Sequence, residues 1–226
     1  MQRKFFVTGT DTGVGKTLIS TALLAAANKR GLTTAAMKPI AAGCRQTANG
    51  LHNDDALALQ EVISQPLSYQ QINPIALKPA IAPHLALQQA GQTVSVDRLA
   101  AYCSAVLTMA VDCVVIEGAG GWRVPLNAKE TLADLPKVMG LPVILVVAVR
   151  LGCINHALLT AEAIQRDGVN LSGWVANQIT PDMSAYKENV ASLKQRLPAP
   201  CLGEIPFMIQ PIPLVAASFL DVSTIL

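Results

Sequence analysis

Short, unbroken apolar runs alternate with longer stretches of helical periodicity along almost the whole chain. Residues 4–8 (KFFVT) predict a first strand, and a glycine-rich loop separates it from a helix over roughly 17–30. That helix stops at KRG, where basic side chains suit the negative end of the helix dipole and glycine lets the chain turn away. Residues 33–38 (TTAAMK) predict a second strand, ended by Pro39, and DDALALQEVI reads as a helix opened by an aspartate cap. A helical pattern over 95–111 leads into the strand CVVIEGAGG, and further strands are expected at PVILVVAV, LSGWVAN and PCLGEIP. Helices near 131–139, 153–167 and 184–196 fill the intervals. The stretch 66–95, rich in Pro, Gln and Asn, shows no such pattern.

Strand–helix alternation with short links predicts an α/β fold whose central, mostly parallel β-sheet is flanked by helices on both faces and joined by right-handed crossovers. One domain over residues 1–226 is expected. The composition agrees: 51% hydrophobic and only 14% charged residues suit strands covered on both sides, and further burial in an oligomer. A net charge of +2 is too small to argue for nucleic acid or an anionic membrane surface as partner. The longest apolar run, LPVILVVAV at 141–149, is too short to span a bilayer. Near the N-terminus the apolar stretch ends almost at once in TGTD, so no secretory leader is expected. Cysteines 44, 103, 113, 153 and 201 are scattered without a C-x-x-C pair, as expected of reduced thiols in a cytoplasmic protein without a zinc site.

VTGTDTGVGKT follows a strand and opens a helix, the setting of a phosphate-binding loop, and this makes the expected fold P-loop NTPase-like. Glycines let backbone N–H groups turn inward as a nest for anionic oxygens, and the helix start adds partial positive charge. Lys16 is expected on the β- and γ-phosphates and the Thr17 hydroxyl on Mg²⁺. The loop is one residue longer than the usual spacing, because its first glycine is Gly9 and position 10 holds Thr10. Magnesium takes oxygen ligands. Glu117, ending a strand at the edge where open α/β sheets bind ligands, is one candidate. Asp55 is another, unless Asp54 or Asp55 serves only as the helix cap. Lys38 closes a strand at the same edge and reads either as a cation for an anionic intermediate or as a solvated strand end.

Taken together, TGTDTGVGKT, KPIAAG, NDDALAL, EGAGGWRVPL, LPVILVVAVRLGCINHALLT, GWVAN and LGEIP, in this order between residues 8 and 206, closely resemble the dethiobiotin synthetase family. The resemblance implies a homodimeric, Mg-ATP-dependent cyclo-ligase for the penultimate step of biotin biosynthesis. CO2 and 7,8-diaminopelargonate would form a carbamate, ATP would convert it to a carbamic–phosphoric anhydride, and the second amine would close a ureido ring. The lengthened loop is itself typical of that family. By matching motif positions, Thr12, Lys16 and Lys38 are implied at the reaction, and Thr17, Asp55 and Glu117 as the metal shell. Nucleotide contacts are implied at Gly13, Val14, Gly15, Lys16, Thr17, Leu18, Asp55, Glu117, Gly118, Ala119, Gly120, Asn177 and Gln178, with Pro206, Phe207 and Met208 lining the base. Substrate contacts are implied at Thr12, Lys38 and Ala42, and at Gly152, Cys153 and Asn155 of the neighbouring subunit, which would hold the substrate's tail carboxylate. Without the resemblance, GCINH reads as an ordinary cap or core contact.

Several positions depart from the family pattern. Gly13 stands where some relatives carry Glu, Ala42 where relatives often have Ser, and the stretch after Met208 (IQPIPLVAAS) lacks an acid that relatives can use near the ribose. A cobyrinate-type amidotransferring ligase would need a glutaminase domain, for which the chain has no room. A ParA/MinD-like nucleotide-dependent switch shares the expected fold but carries a lysine early in the loop, where this chain has Asp11. His52, His84 and His156, and Trp122 and Trp174, are expected in structural roles.

Overall fold

The computed structural model describes residues 2–226. The chain opens with β1 (Arg3–Gly9), α1 (Lys16–Lys29) and β2 (Thr34–Met37). The short β3 (Ile40–Ala41) and the antiparallel hairpin of β4 (Arg45–Thr47) and β5 (Gly50–His52) follow. Next come α2 (Asp54–Val62), α3 (Tyr69–Ile72), β6 (Ile75–Ala76), which pairs with β3, and α4 (Pro83–Gln89). The remainder is α5 (Val96–Leu107), β7 (Cys113–Glu117), α6 (Asp134–Met139), β8 (Val143–Ala148), α7 (Cys153–Arg166), β9 (Leu171–Asn177), α8 (Tyr186–Arg196), β10 (Cys201–Ile205) and α9 (Pro213–Ala217).

The main sheet has the order β10-β9-β8-β1-β7-β2 with every pair parallel. Its strands are apolar at successive positions because both faces are covered; β8 (VILVVA) and β7 (CVVIE) are buried throughout. Right-handed crossovers put α1 on one face, where α9 packs over it, and α5 to α8 on the other, where α5 meets α6 and α7 meets α8. α1 therefore buries most of its circumference, from Ile19 to Ala27, between the sheet and the elements outside it. Since β1 sends its crossover to one face while β7 and β8 send theirs to the other, their carboxyl ends open a crevice. The register brings Val7 opposite Glu117, Gly9 opposite Val146 and Ala148 opposite Asn177, so these strand ends reach the same edge of the sheet.

All the expected main-sheet strands are present, and three local readings are corrected. The cap of α2 is Asn53, not Asp54 or Asp55: in extended backbone, its side chain accepts from the Asp55 and Ala56 N–H groups. The helix expected over 95–111 ends at Leu107, and the one expected from 184 starts at Tyr186, after Ala185 turns left-handed at φ 55°. The segment 66–95 contains α3, β6 and α4. No helix among the described residues is long and apolar enough to cross a membrane.

Candidate functional site

The phosphate-type loop spans from the end of β1 to the start of α1 and is pinned at several points. Val14, 1% exposed, tucks under it, and a Cβ on Gly9 would lie 2.4 Å from the Val14 side chain, so only glycine fits there. Asn177, at the end of β9 and buried, donates its amide to the Val14 carbonyl at 2.8 Å. Gly15 has φ 93°, and a Cβ there would meet that amide nitrogen at 2.1 Å. The Asp11 carbonyl accepts from Lys16 Nζ at 3.0 Å, and the Asp11 carboxylate pairs with Arg150 at 2.9 Å.

Opposite the loop lies an ionic cluster in which Lys38 and Glu117 are buried and Asp55 is partly exposed. The Lys38 ammonium, just past β2, donates to Glu117 Oε1 at 2.6 Å, Asp55 Oδ2 at 2.9 Å and the Gly118 carbonyl at 3.0 Å. Those contacts use all three of its N–H bonds. Thr17 donates to the same Glu117 oxygen at 2.9 Å. Glu117 is fully buried, and among the described residues its second oxygen, Oε2, has no partner. Burial opposes charge on Lys38, but the Glu117 and Asp55 carboxylates outweigh it and raise the ammonium above its ordinary value. Burial likewise acts to raise Asp55, and Lys38 more than offsets it, holding the carboxyl below its usual range. Lys16 differs: burial, then repulsion from Lys38, lowers it to about 8.

The oxygens of Thr17, Asp55 and Glu117, one of them buried without a partner, are a donor set suited to a hard divalent cation that also keeps water and phosphate ligands. Mg²⁺ fits these residues.

A cleft of about 830 Å³ joins the two parts. Thr12, Gly13, Gly15, Lys16, Thr17, Lys38, Asp55, Ala119 and Gly120 border it, as does Ala42. Its other wall is apolar, built by Ala80, Ile81, Ala82, Pro83, Val124 and Pro125, with Arg123 beside them. The glycine loop after β7 abuts the phosphate-type loop, since a Cβ on Gly120 would sit 3.6 Å from Thr12 Oγ1. Leu18 is partly buried against the core instead of in the cleft. Asn177, Gln178, Pro206, Phe207 and Met208 group outside the cleft at the paired ends of β9 and β10, with Gln178 bonded to Pro181 O at 3.0 Å.

Gly152, Cys153 and Asn155, at the start of α7, do not border the cleft. Gly152 and Asn155 are exposed, while the Cys153 thiol is buried 3.7 Å from the Asn189 side-chain oxygen. Asn53, Arg123 and the 80–83 wall were missed from sequence; the wall lies in the patternless stretch, and its small apolar residues carry no chemical signal. Trp122 packs edge-on against Phe6 and donates to Asp167 at 2.7 Å, and Trp174 is fully buried.

A parallel sheet with a Gly-Lys-Thr loop between its central strand and a helix, facing the carboxylates of Glu117 and Asp55, defines a P-loop nucleotide-binding protein. Solved structures agree on the fold. A ParA family ATPase from Chlorobium tepidum TLS aligns at TM-score 0.58 over 98% of this chain and 92% of that one, with 11% identity. The MinC:MinD cell division protein complex of Aquifex aeolicus gives TM-score 0.58 over 98% and 88%, with 14% identity. At such identities the likeness speaks for the fold alone. A family model described as "AAA domain" matches residues 3–213. Relatives named ATP-dependent dethiobiotin synthetase BioD include one from Cellvibrio japonicus (strain Ueda107), 55% identical over all of this chain and 98% of its own. Another from Pseudomonas aeruginosa (strain UCBPP-PA14) is 56% identical over 96% of this chain and 95% of its own. The chain belongs to the ATP-dependent dethiobiotin synthetase family.

Proposed function

We propose that the protein is an ATP-dependent ligase that makes dethiobiotin from 7,8-diaminopelargonate and CO2, in biotin biosynthesis. The observation that carries this reading is one cleft, bordered by Thr12, Lys16, Lys38 and Asp55 at its polar end and by an apolar wall from Ala80 to Pro83 beyond. A substrate with an aliphatic chain and a reacting head of amines matches that division. An amine attacks CO2, forms an N–C bond and loses a proton to give a carbamate. A carbamate oxygen displaces ADP from the γ-phosphorus, and the second amine then attacks the carbonyl carbon, loses a proton and expels phosphate.

This chain's residues bind and orient those groups. The loop amides and Lys16 hold the phosphates, and Thr12 with Lys38 faces the carbamate, so acceptor and γ-phosphate are aligned. The extra loop residue leaves room for that acceptor. Thr17, Asp55 and Glu117 would hold Mg²⁺, which when bound neutralises charge on the phosphate oxygens. Asn177 and Gln178, with Pro206, Phe207 and Met208, take the nucleotide base. Gly152, Cys153 and Asn155 act from the partner of a homodimer, where backbone amides at the start of α7 suit a carboxylate; the buried Cys153 thiol contributes only through its backbone. The chain works as one domain in the cytoplasm.

The test incubates the protein with labelled bicarbonate, Mg-ATP and diaminopelargonate. Label in an acid-stable product, with ATP hydrolysis that depends on the diamine, is expected. Hydrolysis indifferent to the diamine overturns the reading in favour of a nucleotide-driven switch.

A further inference from the structure

We propose that Tyr69 and Asn73 are positioning residues that fix the Lys38 ammonium from behind the cleft, through a relay of hydrogen bonds centred on the Tyr69 hydroxyl. They lie in α3 and just past it, within the stretch whose sequence shows no pattern, and neither borders the cleft. The hydroxyl accepts from the Asn53 backbone N–H at 2.7 Å and donates to Asn73 Oδ1 at 2.9 Å. With its oxygen face engaged, the buried Asn73 amide is oriented so that its NH2 donates to the Lys38 carbonyl at 2.7 Å and the Ile75 carbonyl at 3.2 Å. The Lys38 N–H donates to the Ile72 carbonyl at 2.8 Å. Both backbone polar groups of Lys38 are therefore held by the end of α3 and the residue after it.

The other arm of the relay reaches the lysine's partner. Asn53, held at its N–H by Tyr69, caps α2 through the N–H groups of Asp55 and Ala56, and Asp55 pairs with the Lys38 ammonium. One hydroxyl thus fixes the backbone of Lys38 and the start of the helix that presents its counter-ion. The His52 ring lies against Tyr69 with centroids 4.1 Å apart and planes tilted by 60°, so the ring keeps its place when the hydroxyl is removed. Loss of the hydroxyl leaves the buried Asn53 N–H without an acceptor and Asn73 Oδ1 without its donor, and the Asn73 amide becomes free to turn. The Lys38 ammonium then samples more than one position, and transfer chemistry is sensitive to displacements of about 1 Å.

The inference rests on the proposed ligase activity for its kinetic readout, and a chemical readout stands apart from it. Tyr69→Phe and Asn73→Ala are compared with wild type and with Cys103→Ala, a core truncation on α5 that controls for loss of stability alone. Measured are thermal unfolding, kcat, the KM for ATP, and the rate at which an acylating reagent labels Lys38, followed by peptide mass spectrometry. Tyr69→Phe is expected to lower kcat by roughly ten-fold or more while the KM for ATP stays within about two-fold, and to speed Lys38 labelling several-fold. Asn73→Ala does the same, and Cys103→Ala loses stability with neither change. Tyr69→Phe that loses stability but matches the control in kcat and labelling overturns the proposal. Should wild type lack diamine-dependent turnover, the functional reading fails, and the labelling comparison alone decides the relay.

Discussion

Gly15→Ala is the most demanding single perturbation of the loop, and its cost can be worked out from two contacts. At φ 93° an alanine occupies left-handed backbone, at about 1–2 kcal/mol. Its Cβ would stand 2.1 Å from Asn177 Nδ2, far inside any contact distance, so the amide must move. Moving it breaks the 2.8 Å bond to the Val14 carbonyl between two buried residues, at about 1–3 kcal/mol for the group left unpaired. The sum is about 2–5 kcal/mol, which for a chain of this size lowers the melting temperature by on the order of 10 °C. The assay is a double-mutant cycle by thermal or urea unfolding, with Gly15→Ala, Asn177→Ala and both together. Asn177→Ala alone loses the amide bond, and in the double variant there is no amide to clash with. The two costs should therefore fall short of adding by at least about 1 kcal/mol. Costs that add within about 0.5 kcal/mol would refute the steric account, because the loop would then be free of Asn177.

Further outcomes follow from the charges. Lys16 has a value of about 8 in the free protein, and a bound phosphate favours its ammonium. Nucleotide binding is thus expected to take up a proton above pH 8, and affinity to fall as pH rises further, up to about ten-fold per unit. Calorimetry in buffers of different ionisation enthalpy reads that uptake, and proton release on binding at pH 9 would contradict it. Lys38→Met strands the buried Glu117 carboxylate and should cost about 3–5 kcal/mol as well as turnover. Adding Glu117→Gln should restore much of the stability and none of the activity, read by melting temperature and product formation side by side. Chelation by EDTA should stop turnover and excess Mg²⁺ restore it, with Asp55→Asn raising the concentration needed at least several-fold in a titration.

The sheet was legible because strands covered on both faces must be apolar at every position, and runs such as VILVVA and CVVIE admit few other readings. The loop was legible because phosphate binding needs glycine, lysine and a hydroxyl in fixed order beside a strand end. What escaped was a choice between adjacent residues equally fit for one task, a contact between residues distant in sequence, and elements too short to show a period. Asn53 caps α2 one residue before the aspartates that look equally fit for the task, and this leaves Asp55 to face Lys38. Nothing local distinguishes those neighbouring residues. Lys38 by itself read slightly better as a solvated strand end, and its contact with Glu117, 79 positions away, shows it drawn into the interior. The 66–95 stretch was opaque because its elements are only two to seven residues long, too short for either periodicity to register.

The two cleft lysines divide the electrostatic work because their surroundings differ, not their chemistry. Lys38 has carboxylates on two sides, so its charge is secure and largely cancelled before any ligand arrives. Lys16 is desolvated, repelled by Lys38, and bonded, among the described residues, only to the Asp11 carbonyl. An arriving polyphosphate therefore gains most at Lys16, which forms no ion pair among the described residues, and little at Lys38 while Glu117 and Asp55 hold it. A divalent cation taken up by those same carboxylates changes the balance, since they can no longer fully compensate the lysine. Lys38 then turns net positive toward the cleft at the stage when nucleotide and metal are both in place, which is when an anionic acceptor must be drawn beside another anion. Binding of the acceptor should consequently be ordered after Mg-nucleotide. In titrations of the diamine with CO2 present, weak association without nucleotide and tighter association with a non-hydrolysable analogue and Mg²⁺ is the expected pattern, and equal affinity in both conditions would break the link between the cluster and the acceptor.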